Sequence, residues 1–232
     1  FILHRLARPR LRWRSGLWWA TASTVLAAVA LGLHLWTHDT AHEFSRPFLP
    51  ALVQNEAKQR IPAEHLDTDE SCGECHADIA RQSGGGMHRL SSFNNPAYRF
   101  SIDEARQVLL ERDGDVQVAQ LCAGCHDPVP LMSGSFSDPA YDPEQDPSSQ
   151  AGITCLACHA ITQVNSPRGN ADYTLIDPPR YPFAFSDNAF LQAINHQLIK
   201  ARPALHKKAL LKPVHQSAEF CSACHKVYRI DK

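Results

Sequence analysis

The sequence predicts a mainly α-helical protein with long irregular loops, in which a compact domain follows one N-terminal transmembrane helix. Three observations support this fold class. Residues 16–36 form an uncharged apolar stretch about as long as a helix that spans a bilayer. Four short cysteine–histidine motifs lie beyond it, joined by connections rich in proline. Alternation of polar and apolar residues is scarce, so we expect short helices and loops rather than a sheet.

The N-terminal segment is predicted to be a membrane signal anchor. Residues 1–15 contain five arginines and no acidic residue, so the positive-inside rule keeps them in the cytoplasm and exports everything after residue 36. A cleavable signal peptide has the same two parts, but the length of the apolar stretch favours an uncleaved anchor. We therefore expect a single-pass protein of a bacterial inner membrane with a periplasmic domain. The chain begins with Phe1, and we expect the natural start to lie upstream.

The cysteines follow one repeated pattern. The motif C-x-x-C-H occurs four times and uses all eight cysteines, as Cys72, Cys75 and His76; Cys122, Cys125 and His126; Cys155, Cys158 and His159; and Cys221, Cys224 and His225. This motif is typical of covalent haem attachment, in which the thiols bond to the vinyl groups and the histidine is the proximal iron ligand. Zinc ribbons and disulfide frameworks also use cysteine pairs, but they do not require a histidine after every second cysteine. The sequence therefore predicts four haem c groups, which form much of the core.

The predicted local structure follows from caps and prolines. Residues 37–66 are predicted to form a stalk, helical to about residue 60 and interrupted by two prolines, and residues 67–232 the haem domain. Each C-x-x-C-H motif is expected at the end of a short helix. The remaining predictions are a helix from a capping box at Ser101 to about Arg112, loops over 127–152 and 164–185, and a helix from Ser186 or Asp187 to about Ala201.

Histidines are the predicted distal iron ligands. Only two methionines are available, which favours bis-histidine ligation and low haem potentials. The candidates outside the N-terminal segment are His65, His88, His196, His206 and His215. His88 follows three glycines, which free the backbone to place its side chain against a flat ring. His196 lies opposite the apolar face of its predicted helix, so a solvent-facing position is equally consistent. The residues alone do not decide which haem His88 binds.

The charge distribution argues against a nucleic-acid partner. Setting aside the five N-terminal arginines leaves 18 basic and 24 acidic residues, a net charge of −6. Haem propionates make this surface more acidic. We therefore expect partners with a basic docking face.

The motifs resemble those of a known family. The strings "CGECHADIARQSGGGMH", "GITCLACH" and "FCSACH" are similar to the tetrahaem cytochrome c five-five-four family, over roughly residues 70–228. The stretch "ITQVNSPRGNADYTLIDPPRYPF" is similar to larger membrane-anchored multihaem cytochromes. The resemblance implies closely packed haem pairs, and it implies that His88 binds the iron of a later motif, the fourth. The chain stops soon after His225, so we expect a C-terminal part to be missing.

Three functions agree with these features. We favour an electron-transfer subunit over an enzyme, passing electrons between a membrane protein complex and periplasmic redox carriers of a respiratory or photosynthetic chain. A quinol dehydrogenase of the NapC/NirT type is an alternative, in which His38 or His42 accepts a proton at the membrane face. The third is a multihaem reductase in which one haem is five-coordinate.

Overall fold

The computed structural model describes residue 19 and residues 21–30 and 48–228. The chain divides into two compact units, Phe1–His42 and Glu43–Lys232. In the first unit, residue 19 and residues 21–30 are helical and exposed. The rest of the predicted membrane segment 16–36, the arginine-rich segment 1–15 and residues 37–47 of the predicted stalk lie outside the described residues. Within the described part, no helix is both long and apolar enough to cross a membrane.

The second unit is mainly helical with irregular connections, as predicted. Its α-helices are α1 (Ala63–Leu66), α2 (Asp69–Gly73), α3 (Ala77–Gly84), α4 (Pro96–Asp113), α5 (Gln120–His126), α6 (Pro128–Ser133), α7 (Cys155–His159), α8 (Ala189–Ala201), α9 (Pro203–Leu210) and α10 (Ala218–His225). Short 3-10 helices cover Gln117–Ala119, Pro147–Gln150 and Pro213–Gln216.

A small sheet was not expected from the sequence. Strands β1 (Gln54–Asn55), β2 (Ile161–Val164) and β3 (Tyr173–Leu175) pair in the order β1-β3-β2, with β1 parallel and β2 antiparallel to β3. The strands have only two, four and three residues, which is too short for a recognisable alternation of polar and apolar residues. The expectation of helices and loops alone was therefore wrong here.

Helix α4 begins before the predicted capping box. Asn95 is the N-cap, and its side chain accepts hydrogen bonds from the backbone of Ala97 and Tyr98. Pro96 occupies the first turn, where its missing N–H costs nothing. The Ser101 hydroxyl donates back to the Ala97 carbonyl instead, so the predicted start at Ser101 was wrong. The helix ends at Asp113, one residue after the predicted end at about Arg112.

Both predicted loops contain regular structure. Residues 127–152 include α6 and a 3-10 helix, and residues 164–185 include β3. Prolines misled the prediction, because Pro128 lies in the first turn of α6, where proline is favoured. Helix α8 ends at Ala201 as predicted but is capped by Asn188 rather than by Ser186 or Asp187.

The described part of the predicted helical stalk is extended rather than helical. Residues 48–62 contain β1 and no helix, and their apolar side chains enter the core. The buried residues of this segment are Phe48, Ala51, Val53 and Ile61. They pack in one hydrophobic cluster with Leu131, Met132 and Phe136. This stretch therefore supports the motif-bearing helices directly.

Candidate haem sites

Each C-x-x-C-H motif is associated with a short helix, as predicted. Helices α5, α7 and α10 end at His126, His159 and His225, while α2 ends inside the first motif and His76 caps α3. Residues three and four positions apart share one face of a helix. A helical motif therefore presents both thiols and the imidazole to the same side. All eight cysteines are free thiols.

The first and third motifs lie against each other. The Cys72 and Cys155 thiols are hydrogen-bonded, which lowers the pKa of Cys72 to about 7. The Cys155 backbone N–H donates to Asp69 Oδ1 over 2.7 Å, although the two residues are 86 apart in sequence. The Thr154 hydroxyl donates to the Leu66 carbonyl over 2.6 Å. The start of α7 is therefore hydrogen-bonded to the segment that precedes the first motif.

The second and fourth motifs form another pair. A hydrogen bond with Cys224 lowers the pKa of Cys125. The Tyr173 hydroxyl donates to the Gly124 carbonyl over 2.7 Å. The residue before Cys224, Ala223, accepts a backbone hydrogen bond of 2.9 Å from Ala171. The turn before β3 and β3 itself thus hold both motifs.

The third and fourth motifs connect the two pairs. Burial raises the pKa of Cys158 to about 11, and charge on Cys224 and Cys221 contributes to that shift. Burial also raises the pKa of Tyr173, with contributions from Cys224, Cys125 and Cys158. Thiols from three motifs therefore surround one buried tyrosine.

Two proximal imidazoles expose the nitrogen that a metal needs. His126 Nδ1 donates to the Ser91 carbonyl over 2.8 Å, and His159 Nδ1 donates to the Leu210 carbonyl over 2.7 Å. A metal-binding histidine commonly donates its other ring N–H to a carbonyl, which fixes the ring and the tautomer. In both residues Nε2 is left for a metal.

Three candidate distal histidines have rings near those of predicted proximal ones. Two imidazoles on one iron have ring centroids about 6 Å apart, since each metal–nitrogen bond is about 2 Å long. The His76–His206 centroids are 6.2 Å apart, the His225–His88 centroids 6.0 Å, and the His159–His215 centroids 5.1 Å. His215 Nε2 is buried without a hydrogen-bond partner. These pairs, with the free thiols, fit haem c.

His88 is positioned by the approach of the chain before the third motif. Its carbonyl accepts a hydrogen bond of 2.9 Å from Ile153. Gly152 has a φ of +60°, and a Cβ atom there would collide with the carbonyls of His88 and Arg89. The glycine run before His88 has no positive φ. The glycine that matters for His88 is therefore Gly152.

His126 differs from the other three proximal histidines. Ring contacts within residues 48–228 bring no histidine opposite it. The Tyr98 ring stacks on its face at 4.4 Å and 12°, and a group stacked on a face cannot occupy the position trans to a ring nitrogen. A cavity of 290 Å³ adjoins the motif and is lined by Tyr98, Ser101, Ile102, Leu121, Cys122, Cys125, His126, Cys224 and Val227.

A buried carboxyl group lies beside His126. Asp127 is fully buried and accepts a hydrogen bond from the Tyr98 hydroxyl. Burial raises the pKa of Asp127 to about 7, partly opposed by the Tyr98 bond and by Arg106. This pair was not predictable, because the tyrosine and the aspartate are 29 residues apart and match no spacing rule.

The two remaining candidates have other contacts. The His65 ring stacks on Phe185 at 4.9 Å, and its Nδ1 lies 3.3 Å from Asp177. Burial and the charge of Arg180 lower the pKa of His65. His196 Nε2 lies 3.3 Å from a carboxylate oxygen of Glu74. The structure does not bring either histidine opposite a proximal one.

Comparison with known proteins supports the predicted family resemblance. Residues 71–160, which contain the first three motifs, match the family model "Cytochrome c554 and c-prime". A penta-heme cytochrome c552 from Thermochromatium tepidum matches at 23% identity and a TM-score of 0.42, over 71% of this chain and 46% of that one. The match thus spans less than half of that protein. No curated protein matches the chain.

Proposed function

We propose that this multihaem c-type cytochrome binds four haem c groups and relays electrons within or to a membrane electron-transport complex. When bound, haem c supplies a redox-active iron. The chain supplies covalent attachment, axial ligands and spacing. The proposed axial ligands are His76 with His206, His159 with His215, His225 with His88, and His126 alone.

The contact between motifs of different segments is the observation that carries the proposal. Each cysteine sulfur bonds directly to a side group of the haem ring. The Cys72 and Cys155 sulfurs lie close enough to shift each other's pKa, as do those of Cys125 and Cys224. Haem rings bonded to these sulfurs would have edges close together. Such spacing suits electron transfer through the protein and needs no substrate.

The contacts between motifs also imply an order in which electrons pass from haem to haem. The first motif touches the third, the third lies near the fourth through Cys158, and the fourth touches the second. The proposed route is therefore first, third, fourth, second, rather than the order along the chain. Its two ends are the motifs that carry His76 and His126.

Membrane attachment and export are part of the proposal. They rest on the apolar segment 16–36 and the arginines before it, and on the attachment of c-type haem outside the cytoplasm. Partners are then a membrane complex and periplasmic redox carriers. The quinol dehydrogenase alternative depends on His38 and His42, which lie outside the described residues.

A flash-reduction experiment tests the relay. Substoichiometric photoreduction of the ferric holoprotein places less than one electron on each molecule, and haem absorbance is followed over time. A relay predicts redistribution among spectrally distinct haems at a rate independent of protein concentration. A rate proportional to protein concentration would mean exchange between molecules and would refute the proposal.

Ligand binding at one iron is a second candidate function, favoured by the His126 site. No described histidine lies opposite His126, and the adjoining cavity offers room for a small nitrogen or sulfur compound. The Tyr98–Asp127 pair holds a proton beside it. Carbon monoxide titration of the ferrous protein should then saturate at one ligand per chain. Saturation at zero or at several ligands would contradict this assignment.

A further inference from the structure

The lysines of the haem domain are concentrated in one segment. No lysine occurs between Lys58 and Lys200, and residues 188–218 contain no acidic residue. The same 31 residues contain five cations, which are Lys200, Arg202, Lys207, Lys208 and Lys212. The net charge of the chain after residue 36 is negative, so this segment is a local reversal of sign.

Four of these cations are exposed and unpaired. Lys200, Arg202, Lys207 and Lys208 lie at the end of α8, in its connection to α9, and on α9. Their side chains make no salt bridge or hydrogen bond with other described residues. We call these four residues the lysine surface. Lys212 differs, because its Nζ donates to the carbonyls of His159 and Ala209.

Two other exposed arginines of the domain are neutralised. Arg99 pairs with Asp103 and Glu144, and Arg112 pairs with Asp113. Like charges that remain uncompensated repel one another and add nothing to folding stability, but they create a positive potential that attracts an anionic partner. The lysine surface therefore suits association better than folding.

The lysine surface shares a helix with a histidine at one proposed end of the relay. His206 lies on α9 next to Lys207 and Lys208, and its ring centroid is 6.2 Å from that of His76. The exposed side chains of Leu205 and Leu211 lie in the same segment. A small apolar centre with a charged rim is typical of a docking surface.

We propose that the lysine surface docks an acidic electron-transfer protein whose own redox centre is bordered by carboxylates. This rests on the proposed relay and names a partner for its first-motif end. It differs from the partner predicted from net charge alone, which has a basic face. A carboxylate of the first motif, Glu74, contacts His196 on α8.

A protein suits this surface better than a membrane. The cations come from one helix end, a connection and a helix of eight residues. A helix that lies on a membrane has a long apolar face with aromatic or leucine side chains, whereas α9 is a helix of eight residues and the exposed leucines beside its cations are Leu205 and Leu211.

The test measures binding between oxidised proteins, so that it needs no electron flow. The full-length holoprotein is titrated calorimetrically with an acidic plant-type ferredoxin and, separately, with basic horse-heart cytochrome c, at low and high salt. We expect tighter binding of ferredoxin, weakened by salt. The double variant Lys207→Glu with Lys208→Glu should raise the ferredoxin Kd about tenfold or more. Lys58→Glu, an exposed lysine outside the surface, should leave it within about twofold.

Two outcomes overturn the proposal. One is an unchanged ferredoxin Kd in the double variant. The other is binding of wild-type protein, but not of the double variant, to phosphatidylglycerol vesicles without any ferredoxin binding, which would make the surface a lipid contact. Flash reduction of the isolated double variant separates the docking proposal from the proposed relay. The rate of intramolecular electron transfer should stay unchanged if only docking is lost.

Discussion

Replacing Gly124 by alanine should destabilise the protein through a clash that cannot relax locally. An added Cβ would lie 2.7 Å from the Ala171 Cβ and 2.9 Å from the Ala51 Cβ. Both neighbours are attached directly to the backbone, so neither can rotate away. Overpacking of this kind costs about 1–3 kcal/mol. Alanine in helix α5 recovers up to about 1 kcal/mol of helix propensity, which leaves a net loss of up to about 2 kcal/mol.

Denaturant unfolding of the holoprotein measures this effect. The matched control is Gly84→Ala, at the end of α3, where an added Cβ meets nothing within 4 Å. We expect the control to be neutral or slightly more stable than wild type. A Gly124→Ala protein as stable as the control would refute the close packing of the second motif against Ala51 and Ala171.

Three further predictions concern other contacts. Thr154→Val removes the hydrogen bond to Leu66 and the cap of α7, so the free energy of unfolding should fall by about 2–3 kcal/mol. Thr154→Ser keeps the hydroxyl and should restore this stability. Equal losses in both variants would contradict the role of the hydroxyl. His88→Ala should convert one low-spin haem to high spin in the absorption spectrum, and the assignment of His88 to His225 fails if the spectrum is unchanged. The lowered pKa of His65 means that the unfolded chain takes up a proton first, so stability should decline as pH falls from the ordinary pKa of 6.5 through the folded value. His65→Gln should flatten this decline, and an identical slope would disprove it.

The motifs themselves were predictable because their information is local. Five consecutive residues define each C-x-x-C-H, and helical spacing then places the thiols and imidazole on one face. The contacts between motifs were not predictable from the residues. Cys155 and Asp69 are 86 residues apart, and no spacing rule connects them. Tyr173 was missed for the same reason, since its hydrogen-bond partner Gly124 is 49 residues away along the chain.

The assignment of distal histidines stays a prediction. Spacing and composition selected five candidates, and the rings of three have centroids 5.1–6.2 Å from those of motif histidines. The contacts of the other two were not predictable, because the partners of His65 and His196 are an aspartate and a glutamate distant along the chain. For His88, the glycine that permits its placement is Gly152, near the third motif.

The predicted helix boundaries were wrong where the sequence contained two competing start signals. The sequence around Ser101 has the form of a capping box, but Asn95 followed by Pro96 is the stronger start, because the asparagine satisfies two backbone donors and the proline needs none. In α6, prolines that suggested a loop belong to a short buried helix.

Electron paramagnetic resonance of the fully oxidised holoprotein tests the proposed ligand set most directly. Three histidine pairs and one unpaired His126 predict low-spin and high-spin ferric haem in a ratio of three to one. Four low-spin signals would show a distal ligand at His126, and two or more high-spin signals would show that at least one of the three histidine pairs does not hold an iron.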